Sequence, residues 1–255
     1  MNNIKPIFEH SNRPMNIAVF ISGSGTNLKA LCKYQKALED SGIVPSANIK
    51  CVFTNVPDCK GSKIAKGYDI PVVSLSSKKF FESLYKEPDD ADSRKYYDAA
   101  VISLIENVCS PDLIVLAGYR RKLSTLFYEH YKNKIINLYP GDITKEYLIT
   151  GVQAPIQALK NNETEIKATV YLEQESIRFG IPILQSDNVS LEGYLEDNID
   201  IINKNIREQA EWVIFPHAVY EFIAKGRLGI GNNSTLYLDY DPIGNSGIQY
   251  NDINS

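Results

Sequence analysis

Apolar runs broken by polar and glycine-rich segments divide this chain into short strands and amphipathic helices. Residues 17–21 (Ile-Ala-Val-Phe-Ile) are uncharged and rich in β-formers, which predicts a strand buried on both faces. The run ends in Ser22-Gly-Ser-Gly-Thr-Asn27, and a helical pattern over 28–38 follows until Ser41-Gly42 stops it. Strands are expected at 50–55 and 71–75 around a short helix at 61–68, then a charged, solvent-facing loop at 86–92 and a helix from 93 to about 109. Residues 112–118 form the cleanest strand pattern, 123–132 a helix, and 134–140 a strand ending at a proline. After a loop at 141–151 come a helix at 153–159 and strands at 166–172 and 181–185, joined by a polar turn at 173–180. A long helical tract at 191–225 is expected to be two helices, broken near Pro216. Strand and helix alternating at short spacing predict an α/β fold: an open, mostly parallel, doubly wound, Rossmann-like sheet with helices on both faces.

The ends of the chain differ from its middle. Residues 1–14 lack periodicity and read as a flexible arm, 15–231 as one folded domain, and 232–255 as a polar, disordered tail with one strand at 235–238. A length of 255 residues allows a sizeable core. The net charge of −4 gives no global pull toward nucleic acid or an anionic membrane. The apolar runs are strand-length, so none spans a bilayer, and the first residues lack the apolar stretch of a secretory signal. Cys32, Cys51, Cys59 and Cys109 show no metal-ligand spacing and read as reduced thiols of a cytoplasmic protein.

Candidate chemistry collects where strands end, because ligands of open parallel sheets gather beyond the carboxyl ends of the strands. The stretches concerned are 22–27, 54–55, 118–123 and 137–141. A glycine-rich turn between a buried strand and a helix start presents backbone N–H groups and a helix dipole that favour a phosphate. No Gly-Lys-Ser/Thr is present, which excludes a P-loop. Leu28 stands where a dinucleotide fingerprint requires glycine, and the second strand ends at Asn55 rather than at an acid. Taken singly, each candidate keeps an ordinary reading. Thr26 reads as a plain helix cap, Arg120, Arg121 and Lys122 as a solvated basic loop, Arg94 as a surface arginine, and Glu211 beside Trp212 as a salt-bridged acid.

Together these stretches resemble the glycinamide ribonucleotide transformylase family, the folate-dependent formyltransferases of purine synthesis. The likeness covers residues 15–228 and rests on Ile21-Ser-Gly-x-Gly-Thr-Asn-Leu28, Asp92-Ser-Arg-x-x-Tyr-Asp98 and Pro111-Asp-Leu-Ile-Val-Leu-Ala-Gly118. Leu123-Ser124, Ile136-Asn137, Gln157-Ala-Leu159, Ile183-Leu-Gln185 and Gly226-Arg-Leu228 follow in the family's order. The resemblance implies a formyl transfer from 10-formyltetrahydrofolate, as co-substrate, to the amine of a phosphoribosyl substrate, with no metal and no nucleic-acid or membrane partner. It implies that Gly25, Thr26 and Asn27 hold the substrate phosphate, that Glu211 binds the ribose hydroxyls, and that Glu208 is a neighbouring substrate contact. Arg94 and Arg121 would line the place where substrate and folate meet, and Arg120, Arg121, Lys122 and Leu123 would hold the pterin by their backbone, with Lys122 at a usually apolar position.

The chain departs from the family at its chemical centre. The family's Asn-x-His is Asn137-Leu-Tyr139 here, its aspartate falls on or near Arg178, and a further histidine falls near Pro155. The three histidines, His10, His130 and His217, match none of these places. Tyrosine, with a pKa of about 10, is a poor base at neutral pH against histidine at about 6.5, and acid–base help is typically worth about 10²- to 10⁴-fold. Two readings follow: an enzyme of altered chemistry, with Asn137 at the oxyanion, Tyr139 as donor and Arg178 lowering the tyrosine pKa, or a catalytically inactive homologue that keeps the phosphoribosyl pocket.

Overall fold

A computed structural model describes residues 4–10, 12–87, 90–148, 153–175, 177 and 179–253. In chain order the elements are β1 (Lys5–Pro6), β2 (Met15–Ile21), α1 (Thr26–Asp40), β3 (Ala47–Thr54), α2 (Lys60–Gly67), β4 (Val72–Ser74), α3 (Ser77–Leu84), α4 (Ala91–Glu106) and β5 (Leu113–Leu116). They continue with α5 (Thr125–His130), β6 (Ile135–Tyr139), α6 (Ala154–Lys160), β7 (Glu165–Ile166), β8 (Thr169–Leu172), β9 (Ile181–Gln185), β10 (Val189–Ser190), α7 (Ile199–Ile206) and α8 (Trp212–His217). Four short strands close the chain: β11 (Leu228–Ile230), β12 (Leu236–Leu238), β13 (Asp241–Pro242) and β14 (Ile248–Gln249).

Eight strands form one sheet in the order β14-β9-β8-β6-β5-β2-β3-β4. β4, β3, β2, β5 and β6 are mutually parallel, and β8 runs antiparallel to both β6 and β9. The sheet is therefore mostly parallel, as the spacing of strands and helices predicts. β2 shows why its sequence is an unbroken apolar run. Ile17, Val19 and Ile21 enter one core layer with Leu28 and Leu31 of α1, while Ala18 and Phe20 enter the other with Tyr97 and Val101 of α4 and Phe127 of α5. Both faces are covered by helices, so neither face tolerates polar alternation. Each fully buried Ile or Phe contributes about 1.5–3 kcal/mol relative to exposure.

The structure corrects three expectations. The long helical tract starts at Ile199, after a single 3₁₀ turn at Glu196–Asn198, and it does not break at Pro216. Wider π-type turns, Arg207–Glu211 and Ala218–Ile223, flank the segment that contains the proline, and they accommodate the missing N–H and the bulky ring within one continuous helix. The segment read as a loose arm pairs β1 antiparallel to β11, with Ile7 and Phe8 buried behind it. The C-terminal segment is likewise structured: β11, β12 and β13 make a small antiparallel sheet with β1, and β14 adds a parallel edge to β9. Strands of two or three residues carry no periodicity, and β1 pairs with a partner more than two hundred positions away. Ahead of the charged loop, Ser77–Leu84 forms α3 and buries Phe81. α4 begins at Ala91, where Asp90 accepts the Ser93 N–H at 2.8 Å.

Candidate functional site

The turn after β2 is shaped by a close approach of two backbones. Gly25 adopts φ 71°, and a Cβ there would lie 2.5 Å from the Gly61 Cα at the start of α2. The Gly61 N–H donates to the Gly23 carbonyl at 3.0 Å, which locks the two segments together. Gly25 itself is the residue before α1, and no side chain caps that helix, so Thr26 is its first residue rather than its cap. The first N–H groups of a fifteen-residue helix are thereby directed at the end of the sheet.

Ser22 ties three strand ends into one rim. Its hydroxyl donates to Asn55 Oδ1 at 2.6 Å and accepts the Arg120 N–H at 2.9 Å, and the Asn55 amide donates onward to Ser77 Oγ at 3.2 Å. Across this rim, Asn27 meets the C-terminal helical tract. Its Nδ2 donates to Glu211 Oε2 at 2.9 Å, and its Oδ1 accepts the Trp212 indole N–H at 3.1 Å. Glu211 is only 8 % exposed. Burial pushes its carboxyl above the usual range, against the Asn27 hydrogen bond and the charge of Arg207. The π-type turn at Arg207–Glu211 carries this glutamate, whereas Glu208 is exposed on the same turn and lies 4.0 Å from Lys204.

The basic loop sorts its three cations. Arg120 and Lys122 are exposed, while Arg121 is half-buried with its guanidinium 4.6 Å from the Phe81 ring centre and 5.2 Å from that of Tyr97. Lys122 thus keeps its charge in solvent. Leu123 is buried, and the next N–H, of Ser124, donates to the buried Asp98 carboxylate at 2.7 Å. Burial raises the Asp98 pKa, offset by that hydrogen bond and by the charges of Arg121 and Arg94. Arg94, half-buried on α4, has a buried Nε with no hydrogen-bond partner among the described residues. Beside Arg121 opens a cavity of about 540 Å³ lined by Phe81, Tyr85, Lys78 and Lys86, among others.

At the end of β6, Asn137 and Tyr139 project from the same face of the strand, opposite Tyr171 and Thr169 of β8. The Asn137 Nδ2 donates to Glu173 Oε1 at 2.8 Å and to the Tyr171 hydroxyl at 2.9 Å, and its Oδ1 accepts the Leu138 N–H at 2.8 Å. Glu173 also accepts from the Tyr171 hydroxyl at 3.2 Å, and burial raises its pKa against these donors. The Tyr139 ring packs on Phe179, with centres 5.0 Å apart, and covers Gly141. Arg178 lies outside the described residues. The histidines bond elsewhere: His10 to the Ala224 carbonyl, His130 to Glu106, and His217 packs on Phe222 and Tyr250.

Sequence reasoning missed four members of this arrangement: Trp212, Asp98, Tyr171 and Glu173. For Tyr171 a signal was present, since it lies in the strand expected at 166–172, whereas Glu173 falls just past it; what was lacking was the register that sets Tyr171 against Asn137. Among the described residues no group of three or more His, Cys, Asp or Glu is placed to hold a metal ion. Among the same residues no helix is long and apolar enough to cross a membrane.

The mostly parallel sheet carries at its strand ends a glycine turn whose Asn27 bonds a buried glutamate of the C-terminal helical tract and, on the strand beside β5, an asparagine, which places an α/β protein's polar groups where open sheets bind ligands. Residues 15–219 match the formyl transferase family, and the chain belongs to it. It is 32 % identical over 220 residues to the phosphoribosylglycinamide formyltransferase of Escherichia coli strain K12, covering 86 % of this chain and 92 % of that protein. The Haemophilus influenzae enzyme of the same name is 33 % identical over 231 residues, covering 91 % and 97 %. The solved structure of the Coxiella burnetii phosphoribosylglycinamide formyltransferase superposes with a TM-score of 0.75 at 28 % identity, covering 93 % of this chain and all of that one.

Proposed function

We propose that this protein transfers a formyl group from 10-formyltetrahydrofolate to the amine of glycinamide ribonucleotide, as a cytoplasmic step of purine synthesis, with residues 15–231 as the working unit. The observation that carries this reading is the Asn27–Glu211–Trp212 cluster beside the uncapped start of α1. Phosphate on the N–H groups of Gly25, Thr26 and Asn27 sets the ribose against Glu211, whose carboxylate accepts from its hydroxyls. The aromatic and cationic wall of Phe81 and Arg121 fits a ring system bearing carboxylates. The backbone from Arg120 to Leu123 is the edge on which the pterin would bond, and Arg94 faces the join between the two substrates.

In the transfer, the substrate amine attacks the formyl carbon, the carbonyl oxygen gains negative charge, and the bond from carbon to the folate nitrogen then breaks. Asn137 is the N–H donor for that oxygen, a contribution of the oxyanion type. The amine proton must pass to the leaving nitrogen without histidine, by way of Tyr139 or water. The rate is therefore expected to fall about 10²- to 10⁴-fold below an otherwise equal site with an acid–base group. A second reading, binding without turnover, is favoured by one observation: both Asn137 amide hydrogens are engaged, by Glu173 and Tyr171.

Calorimetric titration with glycinamide ribonucleotide and, separately, a reduced folate tests the reading. Asn27→Ala should weaken ribonucleotide binding roughly 10- to 100-fold, the worth of one or two hydrogen bonds. If both ligands bind, a formyl-transfer assay follows with Tyr139→Phe as comparison. Ribonucleotide binding without folate binding supports the second reading, and binding of neither refutes both.

A further inference from the structure

Two thiols outside the site lie face to face. Cys51, wholly buried in β3, has its Sγ 3.1 Å from the Sγ of Cys109, which is half-exposed in the turn that ends α4. That separation is about 1 Å longer than a disulfide bond. Cys109 is held by its N–H to the Ile105 carbonyl at 2.8 Å, and the next residue back, Val108, is 48 % exposed, so this turn meets solvent. The other two cysteines have different surroundings: Cys32 is buried on the opposite core layer, and Cys59 bonds Thr54 and Ser62.

We propose that Cys51 and Cys109 are a peroxide-sensitive dithiol, closing a reversible disulfide that fastens the end of α4 to β3. The two sulfurs are unequal. Cys51 is wholly buried at the bottom of the pair, whereas Cys109 reaches the solvent-facing turn, where the contact with Cys51 and the charge of Lys50 lower its pKa against its partial burial. Glu106 opposes the thiolate, but its carboxylate accepts from the Tyr131 hydroxyl at 2.9 Å and lies 3.4 Å from His130. Cys109, the solvent-accessible sulfur, is the attacking one, and the buried Cys51 resolves it.

The chemistry balances with hydrogen peroxide as the oxidant. The Cys109 thiolate forms an S–O bond as the O–O bond breaks; the sulfur becomes a sulfenic acid, and hydroxide leaves and takes up a proton as water. The Cys51 sulfur then attacks Cys109 Sγ, an S–S bond forms, and the S–O bond breaks. The departing hydroxide takes the Cys51 proton as a second water. Overall the two thiols lose two protons and two electrons, and the peroxide is reduced to two waters. The bridge joins residues 58 positions apart, a long loop, so it removes many conformations from the unfolded chain. Because α4 also carries Arg94 and Asp98, the clamped helix is one that lines the candidate site.

The test uses the full-length protein, reduced, freed of reductant and treated with hydrogen peroxide, followed by unfolding, alkylation and peptide mass mapping. The expected product is a Cys51–Cys109 linked peptide lighter by two hydrogens and reversed by dithiothreitol. The melting temperature of the oxidised protein should rise by roughly 5 °C or more. In Cys109→Ser, a change at a half-exposed position, both the link and the rise disappear. The proposal is overturned if Cys51 remains free to alkylate while Cys109 becomes sulfinic acid. A link that forms between molecules, or a rise that persists in Cys109→Ser, overturns it equally.

Discussion

Asp98, Glu173 and Glu211 share one electrostatic situation: burial raises the pKa of each above its usual value, and hydrogen bonds only partly offset it. For an acid with a raised folded pKa the native state holds more protons than the unfolded state. Stability is then highest below the usual value, 4.5 for a glutamate, and falls as pH rises through the folded value. Glu173→Gln keeps an acceptor for Asn137 and removes the titration. The variant should therefore lose less stability than the parent as pH rises above 4.5, as measured by urea unfolding at several pH values; an unchanged slope would show that Glu173 does not titrate with a raised pKa. The same change weakens the hold on the Asn137 amide, so it is also expected to raise any formyl-transfer rate. Gly25 is a steric case. A methyl group there meets the Gly61 backbone at 2.5 Å in a left-handed conformation, so Gly25→Ala should cost roughly 2 kcal/mol or more and displace the turn, a loss read from the urea midpoint.

Among the elements, α3 is the one whose sequence spoke least clearly and whose placement does most for the basic loop. Only eight residues long, it is anchored by Ser76, whose side chain accepts the Lys79 N–H, and by Phe81, 2 % exposed. Phe81 stacks with Tyr97 of α4, and Arg121 lies above both rings, so α3, α4 and the loop after β5 meet at one ring. Phe81→Ala is expected to lower stability by about 3 kcal/mol and to weaken folate binding more than ribonucleotide binding, since the ring supports Arg121 and not Asn27. Equal weakening of both ligands would mean that the loss is general. The helical tract makes a related point. Its π-type turn aims Glu211 inward and Glu208 outward, three residues apart, where a regular helix sets such residues on one face.

On the scale of the whole molecule, the two chain ends are joined through one small sheet. β1 pairs with β11, β11 with β12, and Ile7 and Phe8 fill the core layer that also holds Phe215, Phe222 and Leu228. Deleting residues 1–9 should therefore cost roughly 3–6 kcal/mol, from two buried side chains at about 1.5–3 kcal/mol each. Urea unfolding of the truncated chain checks this, and an unchanged midpoint would restore the reading of the arm as an appendage.

The amino-acid sequence by itself determined the alternation of strands and helices and the mostly parallel sheet, because runs such as 17–21 and 113–116 are local patterns, and its motifs in order carried the resemblance to the family. It also supplied Gly25, Asn27 and Asn137 as candidate site residues, since each stands where a strand ends or a helix begins, and the family resemblance added Glu211 as a candidate. Only the tertiary structure decided how they are used. Asn27 bonds Glu211 across 184 positions, Arg121 turns inward while Arg120 and Lys122 do not, and Glu173 captures the Asn137 amide. Those outcomes depend on register and on burial, which set the partner and the ionisation of each group, and neither quantity is written in the spacing of residues along the chain.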